Sequence, residues 1–277
     1  MTDEYDRKIK EHYKNVAQED QLSSSSTMSD AITREIETVA IIEFVRDFLR
    51  YQETNESSLV LADVGCGNGY TLSVLHQNFP SLKKIGLEFT EELLGLAQSR
   101  FKKEKKVVIE AGDIRKKDML AKEKYDILIC QRVIINLLDT EDQRRALDNI
   151  VNCVKPTGVL FFIEAFQKPL SNLNEAREEF DLPPILQAHH NLYLKDDFFN
   201  HRDLEKYRTP TWYYSQCHLS THYFVSRVLH AILIDKKKFL RNSHFVKFFA
   251  EALPAAIGDY SQLRFMTYKK KIDTARS

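Results

Sequence analysis

The stretch Val60-Leu61-Ala62-Asp63-Val64-Gly65-Cys66-Gly67-Asn68-Gly69-Tyr70 decides the fold that the sequence predicts. Its first half belongs to an apolar run, which predicts a short buried strand, and the residues after Tyr70 have the apolar spacing of a helix. Three of the eight glycines in this 277-residue chain lie between the strand and the helix. Glycine lets a backbone turn sharply and approach a ligand closely, and the N–H groups of a helix N-terminus attract anionic groups. The stretch therefore predicts a ligand-binding loop between a strand and a helix.

The same alternation of strand and helix continues to the end of a fifth strand. Apolar runs predict strands at 84–88, 106–110, 125–130 and 159–165, and amphipathic stretches predict helices between them. Residues Thr140 to Gln143 have the form of a capping box, which predicts that one helix opens at Thr140. Continuous apolar strands separated by helices are typical of a parallel sheet covered on both faces. We expect an α/β fold with a doubly wound, Rossmann-like sheet.

The chain on either side of this alternation has a different character. The first residues are polar and predict a mobile arm with a short helix from Tyr5 to Val16, and such an arm can also serve as a lid. After the fifth strand the alternation stops, and an aromatic-rich stretch at 207–218 predicts a strand. We expect an N-terminal arm or lid over 1–35 and one domain over 36–277, whose parts are a ligand-binding half (36–165), an insertion (167–215) and C-terminal helices with a closing strand (216–270).

Composition and charge exclude several classes of protein. Lys and Arg number 40, as do Asp and Glu, so the formal net charge is +0 and no global field would recruit nucleic acid. The four cysteines form no C-x-x-C pair, so we expect neither a metal site nor a redox motif. The start lacks a signal-peptide pattern, and no apolar run approaches the ~18 residues of a membrane span. We expect a cytoplasmic protein without a transmembrane segment.

The glycine stretch distinguishes two nucleotide-binding families. A dinucleotide fingerprint G-x-G-x-x-G would need glycine where Tyr70 stands, which argues against an NAD-dependent oxidoreductase. With Asp63 two residues before Gly65, the stretch instead resembles the first motif of the class I S-adenosylmethionine-dependent methyltransferases, (V/L)-(D/E)-x-G-x-G-x-G. The resemblance implies a seven-stranded, mostly parallel sheet, S-adenosylmethionine as cofactor and S-adenosylhomocysteine as product.

The resemblance also implies which residues bind the cofactor. Glu88, at the end of the second strand, corresponds to the acid that holds both ribose hydroxyls, and Asp113 to the residue that binds the adenine amino group. Tyr13 and Arg34 come from the arm and the first long helix, where relatives cover the cofactor and bind its carboxylate. The full implied set is Asp63, Gly65, Cys66, Gly67, Gly69, Glu88, Phe89, Asp113, Ile114, Gln131, Arg132, Tyr13 and Arg34.

The residues that would handle the methyl acceptor are less defined. A hydroxyl acceptor must lose its proton to a base. Candidate bases are Glu164, a charged residue in an apolar strand, and His189 or His190, since histidine titrates near neutrality. The alternatives are that Glu164 forms a buried ion pair with an arginine such as Arg132, and that the histidines are surface or capping residues. Candidate acceptor-binding residues in the insertion are Asn174, Arg177, Asn191 and Tyr193.

Several functions fit this set of residues. We expect O-methylation of a small polar or glycan-type acceptor, because the insertion loosely resembles bacterial methyltransferases of sugar and surface-polysaccharide modification. One alternative is N-methylation of a small molecule or RNA, although the absence of an N/D-P-P-Y motif after the fourth strand makes a nucleic acid a weak candidate. Another is a regulatory protein that binds S-adenosylmethionine without turnover. The sequence leaves the oligomeric state open.

Overall fold

A single seven-stranded sheet organises the protein. The computed structural model describes residues 2–23, 30–50, 55–117, 122–207, 215–234 and 242–272. The strands are β1 (Val60–Val64), β2 (Lys83–Glu88), β3 (Val107–Ala111), β4 (Tyr125–Gln131), β5 (Val154–Ala165), β6 (Leu204–Lys206) and β7 (Leu263–Lys270), in the spatial order β3-β2-β1-β4-β5-β7-β6. The first five strands run parallel, whereas β7 is antiparallel to both β5 and β6. The expected Rossmann-like, mostly parallel sheet is confirmed.

Helices flank this sheet. They are α1 (Thr2–Asp20), α2 (Ala31–Arg50), α3 (Tyr70–Asn78), α4 (Glu91–Arg100), α5 (Thr140–Cys153), α6 (Gln167–Glu178), α7 (Ser220–Phe224), α8 (His230–Leu233) and α9 (His244–Ala252). A π-helical turn, Val225–Leu229, joins α7 to α8, and short 3-10 turns lie at Glu56–Ser58 and Ile134–Asn136. No helix within the described ranges is long and apolar enough to cross a membrane.

The centre of the sheet explains the apolar runs of the sequence. Strands β1 and β4 lie side by side, with Val64 opposite both Leu87 and Cys130. Their side chains from Leu61 to Val64 and from Ile127 to Cys130 are almost completely buried, because helices cover both faces of the sheet. The strand order reverses between β1 and β4, and ligands of open α/β sheets bind at the carboxyl ends of the strands at such a point.

Three details differ from the expectations. Helix α1 is longer than the predicted helix from Tyr5 to Val16. Helix α5 is capped by Asp139, whose side chain accepts hydrogen bonds from the backbone N of Glu141 (2.8 Å) and Asp142 (3.0 Å), so the capping box at Thr140 is wrong by one residue. An aspartate with extended backbone directly before the first turn is as good a cap as threonine.

The third difference concerns the strand predicted at 207–218. The sixth strand is β6, which precedes that stretch, while residues 208–214 lie outside the described part and 216–219 form a turn. Only Leu204 of β6 is buried, whereas its two neighbours are exposed, so the strand leaves no apolar run in the sequence. The predicted insertion also begins with a regular helix, α6.

Candidate functional site

A pocket lies at the carboxyl ends of β1, β2 and β4, under α1. All residues predicted to bind the cofactor line it except Gly69. Most of these residues lie at or just after the end of a parallel strand, and they share one pocket because the carboxyl ends of neighbouring parallel strands meet at one edge of a sheet. Tyr13 and Arg34 reach the same pocket from α1 and α2. The residues Asp6, Ile9, Thr71, Arg115, Asn136 and Leu137 also line the pocket and were not predicted.

The glycine loop shapes the floor of the pocket. Gly65, Gly67 and Gly69 have φ values of 71°, 57° and 78°, a left-handed conformation that side chains other than glycine rarely adopt. A Cβ atom on Gly65 would lie 2.3 Å from a methyl group of Val133, so the loop also packs too closely for a side chain. Gly69 lies directly before α3 and packs against the ring of Phe101, which follows α4. It therefore shapes the loop but does not line the pocket.

Asp63 supplies a buried acceptor at this loop. Its Oδ2 atom is buried and has no hydrogen-bond partner among the residues that the structure describes. Burial and repulsion by Glu88 raise the pKa of Asp63 to about 7, although Arg34 opposes that shift. A buried carboxylate oxygen without a donor matches a cationic N–H group, such as the ammonium of an amino-acid moiety.

Glu88 faces the same cavity from the end of β2. Its Oε2 accepts a hydrogen bond from the backbone N of Gly67 at 2.8 Å, and its Oε1 accepts one from Thr90 at 2.8 Å. Burial raises the pKa of this carboxyl group above its ordinary value. Each carboxylate oxygen has about two acceptor positions, so both oxygens retain capacity for the hydroxyls of a diol.

Asp113 lies at the other end of the pocket with an arginine that the sequence reasoning missed. Arg115 donates to Asp113 Oδ1 through Nε (2.9 Å) and to Oδ2 through Nη2 (2.8 Å), and it also holds both carboxylate oxygens of Asp6 on α1 (2.7 and 3.0 Å). Burial alone would raise the pKa of Asp113, but the hydrogen bonds from Arg115 bring it below its usual value. The Phe89 ring lies beside Arg115, 5.4 Å from the guanidinium carbon.

A network around Glu37 holds the polar residues that follow β4. Glu37 on α2 is fully buried, and its carboxylate pairs with the Arg132 guanidinium and accepts a hydrogen bond from Gln131 Nε2 at 2.8 Å. Thr71 donates to Gln131 Oε1 at 3.2 Å. Although burial lowers it, the pKa of Arg132 is raised overall by Glu37. The sequence signal for Glu37 was a charged residue one turn before Ile41 on the apolar face of α2.

Helix α1 closes the pocket from above. The hydroxyl oxygen of Tyr13 accepts a hydrogen bond from Asn136 Nδ2 at 2.8 Å. The chain after the helix is held by Asn68 of the glycine loop, whose amide donates to the carbonyls of Gln21 (2.8 Å) and Ser23 (2.9 Å). Burial raises the pKa of Tyr13 to about 12.

Glu164 does not line the pocket. Its side chain is fully buried, and its carboxylate accepts hydrogen bonds from the backbone N of Val133 (3.0 Å), Ile134 (3.0 Å) and Ile135 (3.3 Å). Burial raises the pKa of Glu164 to about 7. The alternative of an ion pair with Arg132 is wrong, because Arg132 pairs with Glu37. This geometry makes Glu164 the residue that shapes the turn after β4.

The two candidate histidines also lie outside the pocket lining. The His190 ring stacks on His12 of α1 with 3.9 Å between ring centroids, and His189 packs edge-on against His190 at 5.1 Å. Burial and repulsion by the neighbouring histidines lower the pKa of His190 to about 4. Their contacts join the insertion to α1.

The four candidate acceptor residues are not brought into the pocket either. Asn174 exchanges two hydrogen bonds with the backbone of Ile185 (3.0 and 2.8 Å), and Arg177 donates to the carbonyls of Pro183 and Arg227. Tyr193 is buried, and the backbone N of Asn191 donates to the Ala188 carbonyl at 3.0 Å. In this structure Asn174, Arg177 and the backbone of Asn191 shape the fold of the insertion.

Comparisons with known proteins bear on the same region. A family model described as a methyltransferase domain matches residues 61–158. A malonyl-[acyl-carrier protein] O-methyltransferase of Bacillus cereus is 26% identical over 66% of this chain and 66% of that protein. A phosphoethanolamine N-methyltransferase of Plasmodium falciparum is 23% identical over 50% of this chain and 51% of that protein. The chain thus covers just under two thirds of the first relative and half of the second.

A solved structure agrees at the level of fold. Magnesium protoporphyrin IX methyltransferase from Synechocystis PCC 6803, with S-adenosylhomocysteine bound, has a TM-score of 0.51 and 14% identity over 86% of this chain and 85% of that chain. These matches identify a methyltransferase domain at residues 61–158, and the glycine loop and the sheet order agree with the fold of the solved structure and with S-adenosylmethionine as the cofactor.

Proposed function

We propose that this chain transfers the methyl group of S-adenosylmethionine to an oxygen atom of a small polar acceptor. The observation that carries the proposal is the pair of buried carboxylates, Asp63 and Glu88, which face one cavity across the glycine loop. Asp63 offers an unpartnered Oδ2 to an ammonium group, and Glu88 offers both oxygens to a ribose diol. These two groups occur together in S-adenosylmethionine.

The other residues of the pocket fit the remaining parts of the same molecule. Asp113 would accept the adenine amino group between the apolar side chains of Phe89 and Ile114, while Arg34 would hold the cofactor carboxylate. Gly65 and Gly67 would let the backbone approach the methionine moiety. When bound, the cofactor supplies an electrophilic methyl group on a sulfonium. The chain's own task is then to hold the acceptor in line and to exclude water.

The support for an oxygen acceptor comes from relatives and from the pocket. The relative that matches the larger share of this chain is named an O-methyltransferase, whereas the N-methyltransferase matches a shorter region. The end of the pocket near β4 presents Arg132 and Tyr13, which are hydrogen-bond donors suited to oxygen. N-methylation of a small molecule stays the alternative, since one relative carries that name.

Calorimetric titration with S-adenosylmethionine, S-adenosylhomocysteine and NAD tests the cofactor assignment. We expect micromolar binding of the first two and none of NAD. Glu88→Gln should weaken binding by about 10- to 100-fold, because a hydrogen bond to a charged group contributes about 1.5–3 kcal/mol. The matched control is Glu110→Gln on the neighbouring strand β3, whose side chain is exposed and outside the pocket.

The results of this titration distinguish a methyltransferase from a protein that only binds S-adenosylmethionine. Equal affinity in Glu88→Gln and in the wild-type protein contradicts the ribose assignment, provided that both variants unfold at the wild-type temperature. Cofactor binding without methyl transfer to any oxygen or nitrogen acceptor would favour a regulatory protein that binds S-adenosylmethionine.

A further inference from the structure

We propose that the acceptor oxygen belongs to a carboxylate, so that the product is a methyl ester. This inference rests on the proposed function and names the substrate class of the same site. It concerns the end of the pocket near β4, where Tyr13, Arg132 and Asn136 meet.

A hydrogen bond from Asn136 constrains the direction of the Tyr13 hydroxyl. Asn136 Nδ2 donates one hydrogen to the Tyr13 oxygen at 2.8 Å and the other to the Arg132 carbonyl at 2.9 Å. Because the phenol oxygen accepts from Asn136, its own O–H must point towards a different acceptor. Tyr13 lines the pocket, and burial keeps its pKa at about 12, so the hydroxyl is a donor at neutral pH. Asn136 is therefore a positioning residue for this donor.

Arg132 places a charged side chain near Tyr13. Arg132 lines the same end of the pocket, and its guanidinium is held by the buried Glu37, which keeps the pKa of Arg132 above its ordinary value. A guanidinium and a phenol O–H at one place form hydrogen bonds best with an anionic acceptor. The sulfonium of the cofactor adds a further positive charge when it is bound. A neutral alcohol or a cationic amine would lose most of this complementarity.

The pocket lining also determines whether an acceptor could lose a proton. All nine histidines of the chain lie in the described part, and none of them lines the pocket. The lining carboxylates are either paired with Arg115, as Asp6 and Asp113 are, or face the ammonium and ribose positions, as Asp63 and Glu88 do. An alcohol or ammonium must give up a proton during transfer, whereas a carboxylate has already lost it at neutral pH.

The reaction then balances without a base. A lone pair of the carboxylate oxygen forms the new C–O bond as the C–S bond breaks, and the bonding pair stays on sulfur, which becomes a neutral thioether. No proton moves. The site has to supply orientation and the charge complementarity that Tyr13 and Arg132 provide.

Three probes on one carbon skeleton test this proposal: succinic acid monoamide, 4-hydroxybutyramide and 4-aminobutyramide, which present a carboxylate, an alcohol and an amine. The first measurement is calorimetric binding of each probe to the complex of the protein with S-adenosylhomocysteine. The second uses tritium in the transferred methyl group and counts volatile methanol after mild alkali, because a methyl ester releases methanol and a methyl ether or methylamine does not. We expect binding at least tenfold tighter for the carboxylate and methanol release from that probe alone.

Variants of the donor refine the test. Tyr13→Phe should weaken carboxylate binding to the complex by about tenfold, since it removes one hydrogen bond to a charged group; S-adenosylhomocysteine is kept saturating for each variant. Tyr260→Phe, which lies outside the pocket, is the matched control. At saturating cofactor, kcat for the carboxylate should stay flat between pH 6 and 8, whereas a base-dependent transfer would speed up with pH.

Each contrary result has a distinct meaning. Tighter binding or faster methylation of the alcohol or amine overturns the carboxylate inference and leaves the methyltransferase function intact. The same conclusion follows if the three probes bind equally or none binds the complex. Failure of the protein to bind S-adenosylhomocysteine at all refutes the proposed function itself.

Discussion

At the scale of single residues, Asp63 is the most constrained group in the pocket. It is buried, it lies near a second carboxylate, and one of its oxygens has no donor in the described part of the chain. Both burial and the Glu88 charge disfavour its ionised form, which explains a pKa of about 7. A cationic ligand group would favour the ionised form, so ligand binding and proton release should be coupled at this residue.

This coupling predicts a pH dependence of cofactor affinity. With a pKa of about 7, roughly a tenth of Asp63 is ionised at pH 6 and about three quarters at pH 7.5, so affinity should rise about eightfold over this range. The stability of the protein alone should depend on pH with the opposite sign. Because the pKa of Asp63 is raised in the folded protein, its contribution to the free energy of unfolding is fully present below the pKa of the unfolded chain and is lost as pH rises through the folded-state pKa. Calorimetry with S-adenosylhomocysteine measures the affinity. Asp63→Asn should bind more weakly and without this slope, and a persistent slope would contradict the assignment.

Glu164 allows a second prediction at this scale. Its carboxylate accepts three backbone hydrogen bonds, and an amide in its place would direct an N–H₂ group at one or more of the same donors. We expect Glu164→Gln to lower the free energy of unfolding by about 1–3 kcal/mol. Urea unfolding measures this loss, with exposed Glu205→Gln on β6 as the control.

The same variant tests the catalytic role that the sequence suggested for Glu164. A general base contributes about 10²- to 10⁴-fold to a rate. A loss of that size in kcat with unchanged stability would restore Glu164 as the base and contradict the role in shaping the turn after β4.

At the scale of elements, α1 is fastened over the pocket at both ends. Asp6 near its start is joined through Arg115 to Asp113, and the chain after its end is held by Asn68. Between these points, Tyr13 reaches Asn136 and His12 stacks on His190. These contacts hold α1 over the pocket, so we expect the exchange of a ligand to depend on them.

This arrangement predicts faster ligand release when one contact is weakened. Asp6→Asn removes the charge that faces Arg115 and leaves Asp113 in place. A partly exposed ion pair contributes up to about 1 kcal/mol. We therefore expect S-adenosylhomocysteine to dissociate up to roughly fivefold faster from this variant. Stopped-flow dissociation measures this rate, and Glu11→Gln on the exposed side of α1 is the control. Equal rates in the two variants would argue that α1 does not gate the pocket.

The elements also show what sequence patterns can and cannot predict. Strands β1 and β4 were predicted because both faces are covered and their sequences are continuous apolar runs. Strand β6 was missed because it has three residues and only Leu204 is buried. The contact of Glu37 with Arg132 joins residues 95 positions apart, so it depends on how α2 packs on the sheet and has no local pattern.

At the scale of the whole molecule, the cofactor side and the acceptor side of the site differ in how far the sequence could predict them. The residues that we expected on its cofactor side share one pocket, because most of them lie at the ends of parallel strands, which must meet. Its acceptor side was not predicted, because the direction taken by residues 167–215 depends on tertiary contacts. The backbone N of Leu192, for example, donates to the Ile135 carbonyl at 2.7 Å, a contact between residues 57 positions apart.

The shared sheet predicts how the molecule unfolds. Strands β6 and β7 come from the C-terminal part of the chain and complete the sheet that β1 to β5 begin, so the two parts should unfold together. We expect one calorimetric transition, and S-adenosylhomocysteine at about 100 times its Kd should raise its midpoint by about 5 °C or more, because this occupancy adds about 2.7 kcal/mol. NAD at the same concentration should leave the midpoint unchanged. Two transitions, of which only one moves with the ligand, would show that the C-terminal part is a separate cooperative unit and contradict the single domain proposed for residues 36–277.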